Sequence, residues 1–133
     1  MIRLAEAEAE AAAGAAGFAH ETLRQLVEID GTGGVLRTIV DLFGRDVPSD
    51  LGDLRDAVGR LDADRVRRVA HSMKGAARTM GAVALGEQCL RIEMDAREQK
   101  LPTSDDMASL ETATASAIDY LRRFAIESPT AST

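Results

Sequence analysis

The chain has 133 residues, of which 45% are hydrophobic, so it can form one domain with a hydrophobic core. Its formal net charge of -6 argues against a nucleic-acid partner, because contacts to a phosphate backbone require an excess of Lys and Arg. The single Cys89 excludes an intramolecular disulfide and a cysteine-based zinc site, which favours a cytoplasmic location. No stretch approaches the roughly 20 apolar residues that span a bilayer, so no membrane association is expected.

Aromatic residues make up only 3% of the chain, and its apolar residues are mainly Ala, Leu, Val, Ile and Met. These residues favour helix over strand, and we predict an all-α protein. Residues 1–17 are rich in Ala and Glu and have few large side chains, so we expect a flexible lead-in. A short helix is predicted from Phe18 to the glycine-rich segment at 30–34.

Apolar stripes at helical spacing occupy residues 36–43 and 51–61. The segment RDVPSD at 45–50 separates them, because proline disfavours helix for the residue before it. The two stripes are consistent with two separate helices or with one kinked helix.

Three further stripes lie at 62–81, 85–96 and 103–124. Asp62 is predicted to cap the first of these helices, and Thr103 or Ser104 to cap the last. Their alternating spacing of three and four residues is typical of helices packed nearly parallel. We predict an antiparallel four-helix bundle over 18–127 with one or two short N-terminal helices, followed by a disordered tail at 128–133.

A helical wheel of the segment 62–81 places His71 opposite its apolar stripe, so the imidazole is predicted to be exposed. The stripe consists of Val69, Met73, Ala76 and Met80. The same face carries Arg67, Lys74, Gly75 and Arg78. Histidine is mostly neutral at pH 7 and can act as a nucleophile towards a phosphoryl group, whose oxygens need positive charge nearby. We predict that Lys74 stabilises this charge directly and that Arg78 is an auxiliary.

Gly75 requires an explanation, because glycine in a helix interior costs roughly 0.5–1 kcal/mol relative to alanine. It either leaves access to the imidazole of His71 or lets a neighbouring helix pack closely. The wheel favours access, because Gly75 lies nearer to His71 than to the apolar stripe.

The run HSMKGAARTMGA resembles the signature of histidine-containing phosphotransfer (HPt) domains. The matching positions are His71, Lys74, Gly75, Gly81 and Ala82. The resemblance extends from about Leu23 to Phe124, because LRTIVDLF at 36–43 and LGEQCLRIE at 85–93 also look like helices of this family.

This resemblance implies a four-helix bundle whose exposed histidine relays phosphoryl groups in a multistep phosphorelay. His71 would accept the group from a phosphoaspartate on one receiver domain and pass it to an aspartate on another, the partners being a hybrid histidine kinase and response regulators. The chain has no P-loop, so we expect a phosphoryl carrier without ATP-dependent kinase activity. No cofactor of its own is expected, because the magnesium would belong to the receiver. The alternative is a non-catalytic bundle that binds a receiver or a kinase as an inhibitor or scaffold.

Glu93 lies as far after a hairpin turn near Ala82 as His71 lies before it. Its carboxylate would then accept a hydrogen bond from the ring N–H and orient the ring, although a solvated surface glutamate is the alternative. His20 has neither lysine nor glycine at the spacing seen after His71, and two histidines without a carboxylate cluster predict no metal site. Cys89 is predicted to be a small buried residue.

Overall fold

The computed structural model describes residues 2–30 and 34–127, and this part of the chain forms six α-helices and no strand. The helices are α1 Ile2–Ala15, α2 His20–Asp30, α3 Gly34–Gly59, α4 Ala63–Thr79, α5 Val83–Arg97 and α6 Ser104–Glu127. The helices share one hydrophobic core, in which α4 and α5 pack against each other most extensively. The predicted all-α bundle with short N-terminal helices is confirmed. The tail predicted at 128–133 lies outside the described residues.

None of the helices in the described ranges is both long and apolar enough to cross a bilayer.

Helix α3 runs without interruption through Pro48, so the two apolar stripes belong to one helix. A proline inside a helix removes one hydrogen bond and crowds the carbonyl four residues earlier, at a cost of about 3 kcal/mol. The helix buries side chains on both sides of the proline, among them Phe43 and Leu51. Because each large buried side chain contributes roughly 1.5–3 kcal/mol, packing outweighs the cost of the proline.

Four helices end in the same hydrogen-bonded turn, in which the third residue beyond the helix donates its N–H back to a carbonyl of the last turn. The donor and acceptor pairs are Phe18 to Ala13, Asp62 to Ala57, Ala82 to Ala77 and Lys100 to Asp95. This turn requires a positive φ just before the donor. The residues with positive φ are Gly17, Leu61, Gly81 and Gln99.

The predicted caps begin two of the helices. The Asp62 carboxylate accepts a hydrogen bond of 3.1 Å from the backbone N–H of Arg65. At the start of α6, the Thr103 hydroxyl accepts from the N–H of Asp106 at 3.1 Å, and the Asp106 carboxylate accepts from the N–H of Thr103 at 2.9 Å. Thr103 is therefore the cap of α6, because two backbone donors without helical partners are satisfied by this exchange.

The segment between α1 and α2 is bonded to the turn between α4 and α5. The N–H of Ala19 donates to the carbonyl of Gly81 at 2.8 Å, and the N–H of Ala84 donates to the carbonyl of Gly17 at 3.0 Å. We call this pair of hydrogen bonds the clasp. Of the lead-in predicted at 1–17, residues 2–15 are helical, and Ala13 is buried.

Candidate functional site

Helix α4 presents His71 at the surface, with 64% of its side chain exposed. The buried face of α4 is rotated from the predicted stripe, because Ala70 and Ala77 are buried while Val69 and Ala76 are only half-buried. The small alanines allow α5 to approach closely, and a Cβ added at Gly86 would lie 3.8 Å from the Cβ of Ala77. This close packing fixes which residues of α5 lie level with His71.

The α4–α5 hairpin brings His71 and Lys74 to the same buried carboxylate, that of Glu93. The Nδ1 atom of His71 lies 2.9 Å from Oε2 of Glu93, and Nζ of Lys74 lies 2.6 Å from Oε1. Only 2% of the Glu93 side chain is exposed, so it is not a solvated surface glutamate. Glu93 and His71 therefore lie at the same level of the α4–α5 hairpin, as expected from their equal separation from the turn.

The charge state of Glu93 determines which ring nitrogen carries the proton. Burial acts to raise the pKa of the Glu93 carboxyl, but the hydrogen bonds and the electrostatic attraction of Lys74 and His71 together outweigh burial and hold this pKa below its usual range. An ionised carboxylate can only accept hydrogen bonds. Nδ1 of His71 must therefore donate, which leaves the lone pair of a neutral ring on Nε2, the nitrogen away from Glu93.

Arg97 also contacts this carboxylate, and the sequence interpretation did not include it. Its Nη2 lies 3.3 Å from Oε2 of Glu93, the oxygen that faces His71. The signal was present, because residues four apart on a helix are neighbours and Arg97 follows Glu93 by four. The importance of this neighbour depends on the burial of Glu93 beside the imidazole, which the sequence does not show.

Gly75 leaves open space beside the imidazole. A Cβ added there would meet no atom within 4 Å, so no neighbouring helix packs closely against this glycine. Arg78 lies farther along α4, with its Cγ 3.6 Å from a Cβ added at Gly86, and it has no ion-pair partner within the described ranges. The structure thus gathers His71, Lys74, Glu93 and Arg97 and leaves Arg78 outside this group.

The remaining candidates lie apart from this site. His20 begins α2 and borders a cavity together with Glu10 and Arg24. No group of three or more potential metal ligands occurs among the described side chains. Cys89 is fully buried in the core, as its place in an apolar stripe predicts.

The family model of the Hpt domain matches residues 38–124. The chain belongs to the Hpt domain family. The match begins at residue 38 rather than near Leu23, and it includes all of α4 and α5. No curated protein and no solved structure matches the chain.

Hpt domains act in phosphorelays as phosphotransfer intermediates and not as kinases. The resemblance carried by residues 70–82 is therefore confirmed at the level of the family. In this Hpt domain the motif residue Gly81 has a φ of 74° and a Cβ there would lie 3.0 Å from the Cβ of Thr22. Both the backbone conformation and the close approach of α2 favour glycine at this position.

Proposed function

We propose that this Hpt domain relays a phosphoryl group between receiver-domain aspartates through Nε2 of His71. The observation that carries the proposal is the 2.9 Å contact between Nδ1 of His71 and the buried Glu93 carboxylate, beside an otherwise exposed ring. This contact orients the imidazole and directs its free lone pair towards solvent, where a partner can dock. Open space at Gly75 supports the same role, because a receiver has to approach the ring closely.

The transfer step conserves atoms and charge without a base. The Nε2 lone pair attacks the phosphorus of a receiver phosphoaspartate, a P–N bond forms, and the P–O bond to the aspartate breaks with release of its carboxylate. Nδ1 keeps its proton, so the phosphorylated ring carries a positive charge that the Glu93 carboxylate stabilises. The next receiver reverses the step when its aspartate attacks the same phosphorus. Magnesium and the acidic residues that bind it belong to the receiver.

The proposed partners are receiver domains of a hybrid histidine kinase and of response regulators, in the cytoplasm. The basic residues on the exposed side of α4 support an acidic partner, because the phosphoryl group and the receiver site both carry negative charge. A bundle that only docks on such a receiver, as an inhibitor or scaffold, is the alternative function.

The proposal is tested by incubating the purified protein with a panel of radiolabelled phosphorylated receivers. We expect acid-labile, alkali-stable label on the wild type and on His20→Gln, the matched control at the other histidine, and none on His71→Gln. Failure of every receiver to label the wild type, together with equal binding of one receiver to wild type and His71→Gln, would establish the docking-only alternative.

A further inference from the structure

The Glu93 carboxylate has three donors, and two of them are cations. Lys74 contacts Oε1 at 2.6 Å, whereas Arg97 contacts Oε2 at 3.3 Å. Oε2 is also the atom that accepts the hydrogen bond from Nδ1 of His71. The arginine therefore lies on the histidine side of the carboxylate, and the lysine lies on the other side.

The two cations also differ in their access to solvent. Only 13% of the Lys74 side chain is exposed, against 63% for Arg97. Moving Lys74 away would leave an ionised carboxylate buried without its closest partner, which is strongly unfavourable. Releasing Arg97 is cheap, because water already reaches the guanidinium and Glu93 keeps its contacts with Lys74 and His71.

We propose that Arg97 is the cation that pairs with the phosphoryl group on His71, and that Lys74 is a positioning residue that holds Glu93. This inference rests on the proposed function. A phosphoryl group on Nε2 adds nearly two negative charges at the exposed side of the ring, and the guanidinium of Arg97, whose planar fork matches phosphoryl oxygens in a bidentate arrangement, is exposed and free to turn from Glu93 towards it. Arg97 then exchanges a long contact with Glu93 for shorter contacts with the phosphoryl group.

Other arginines near His71 are less suited to this role. Arg67 and Arg68 both contact the carboxylate of Asp64, the former at 3.0 Å. Arg78 lies two turns beyond His71 and extends over Gly86 of α5. Among the described arginines, Arg97 is the one that touches the group bonded to the imidazole.

The test labels His71 chemically with phosphoramidate, so that it does not depend on any receiver, and follows the decay of the phosphorylated protein. We expect Arg97→Gln to shorten the half-life of phosphohistidine at least about threefold and to move its ³¹P resonance, with partial recovery in Arg97→Lys. The control Arg91→Gln changes another arginine of α5 and is expected to behave as wild type. Arg97 is exposed, so its variants are expected to fold.

Lys74→Met tests the positioning role of Lys74, and its expected effects are the reverse of those of Arg97→Gln. We expect it to move the ¹⁵N resonances of the unphosphorylated His71 ring, because Glu93 loses its anchor, and Arg97→Gln to leave them nearly unchanged. An unaltered half-life and ³¹P resonance in Arg97→Gln overturn the proposal. If Lys74→Met alters the half-life and the ³¹P resonance while Arg97→Gln alters neither, Lys74 is the cation that pairs with the phosphoryl group, as the sequence predicts. Failure of receivers to label the wild type overturns the relay function and not this assignment, since the label here comes from phosphoramidate.

Discussion

Two side chains occupy a backbone conformation that glycine adopts elsewhere in the same molecule. The turn after α3 places Leu61 at φ 57°, and the turn after α5 places Gln99 at φ 64°, whereas Gly17 and Gly81 hold the equivalent positions after α1 and α4. A side chain in this region costs roughly 1–2 kcal/mol. Leu61 is also 77% exposed, so packing returns little of that cost.

We expect Leu61→Gly to raise the free energy of unfolding by about 0.5–1 kcal/mol, because relief of backbone strain exceeds the added freedom of the unfolded chain. Urea denaturation measures the change. Leu61→Ala is the control, since it removes the exposed side chain but keeps the Cβ. An equal gain in Leu61→Ala would show that the apolar side chain, and not the backbone, is responsible.

At the scale of the element, α4 combines good helix signals with one weak residue. Asp62 caps its first turn, and Gly81 supplies the positive φ of the turn that follows the helix. Gly75 lies in its interior beside open space, so alanine would fit without a clash. Gly52 in α3 offers a matched case, because it is also exposed and a Cβ there would meet no atom within 4 Å.

We expect Gly75→Ala and Gly52→Ala each to stabilise the protein by about 0.5–1 kcal/mol, because alanine is the better helix former. Only Gly75→Ala is expected to slow phosphoryl transfer to His71, by at least about fivefold, since close approach of the reacting groups is sensitive to small displacements. Thermal unfolding and transfer kinetics test the pair together. Equal transfer rates in both variants would show that access to the ring does not explain Gly75.

The sequence predicted best those features that local interactions decide. The cap at Asp62 and the turn at Gly81 that follows α4 depend on neighbouring residues only, and both are found. The continuity of α3 through Pro48 could not be predicted, because it depends on burial against other helices. The rotation of the buried face of α4 likewise depends on how closely α5 packs.

The candidate site also combines features that the sequence predicts with features that depend on packing between helices. The exposure of His71 follows from the wheel, and the level of Glu93 follows from counting residues on both sides of one turn. The burial of Glu93 and the contact of Lys74 with it, rather than with solvent, require the packed hairpin. Arg97 was missed because its importance depends on a carboxylate whose environment the sequence does not reveal.

At the scale of the whole molecule, one core links the N-terminal helices to the bundle. Its buried residues extend from Ala13 in α1 to Ala125 in α6. Phe18 stacks on Tyr120 with ring centroids 4.6 Å apart, which joins the N-terminal segment to α6. Cys89 is fully buried within this core.

We expect Cys89 to report on opening of the core. Burial, aided by the charge of Glu93, raises the pKa of its thiol to about 12, so it is neither accessible nor ionised at pH 8. Its reaction with a thiol reagent should be at least about a hundredfold slower in the folded protein than in urea, and should follow the free energy of unfolding across variants. Rapid labelling of the folded protein would show that the α4–α5 pair opens locally.

The clasp has a practical consequence for fragments of this protein. A fragment cut at the limits of the family match, 38 and 124, would begin inside α3 and lack the backbone groups of Gly17 and Ala19. The carbonyl of Gly81 and the amide of Ala84 would lose their partners at the turn that sets the register of His71 and Glu93. The residues that the family model matches are therefore fewer than those that should be kept together when the protein is expressed, crystallised or grafted into another relay.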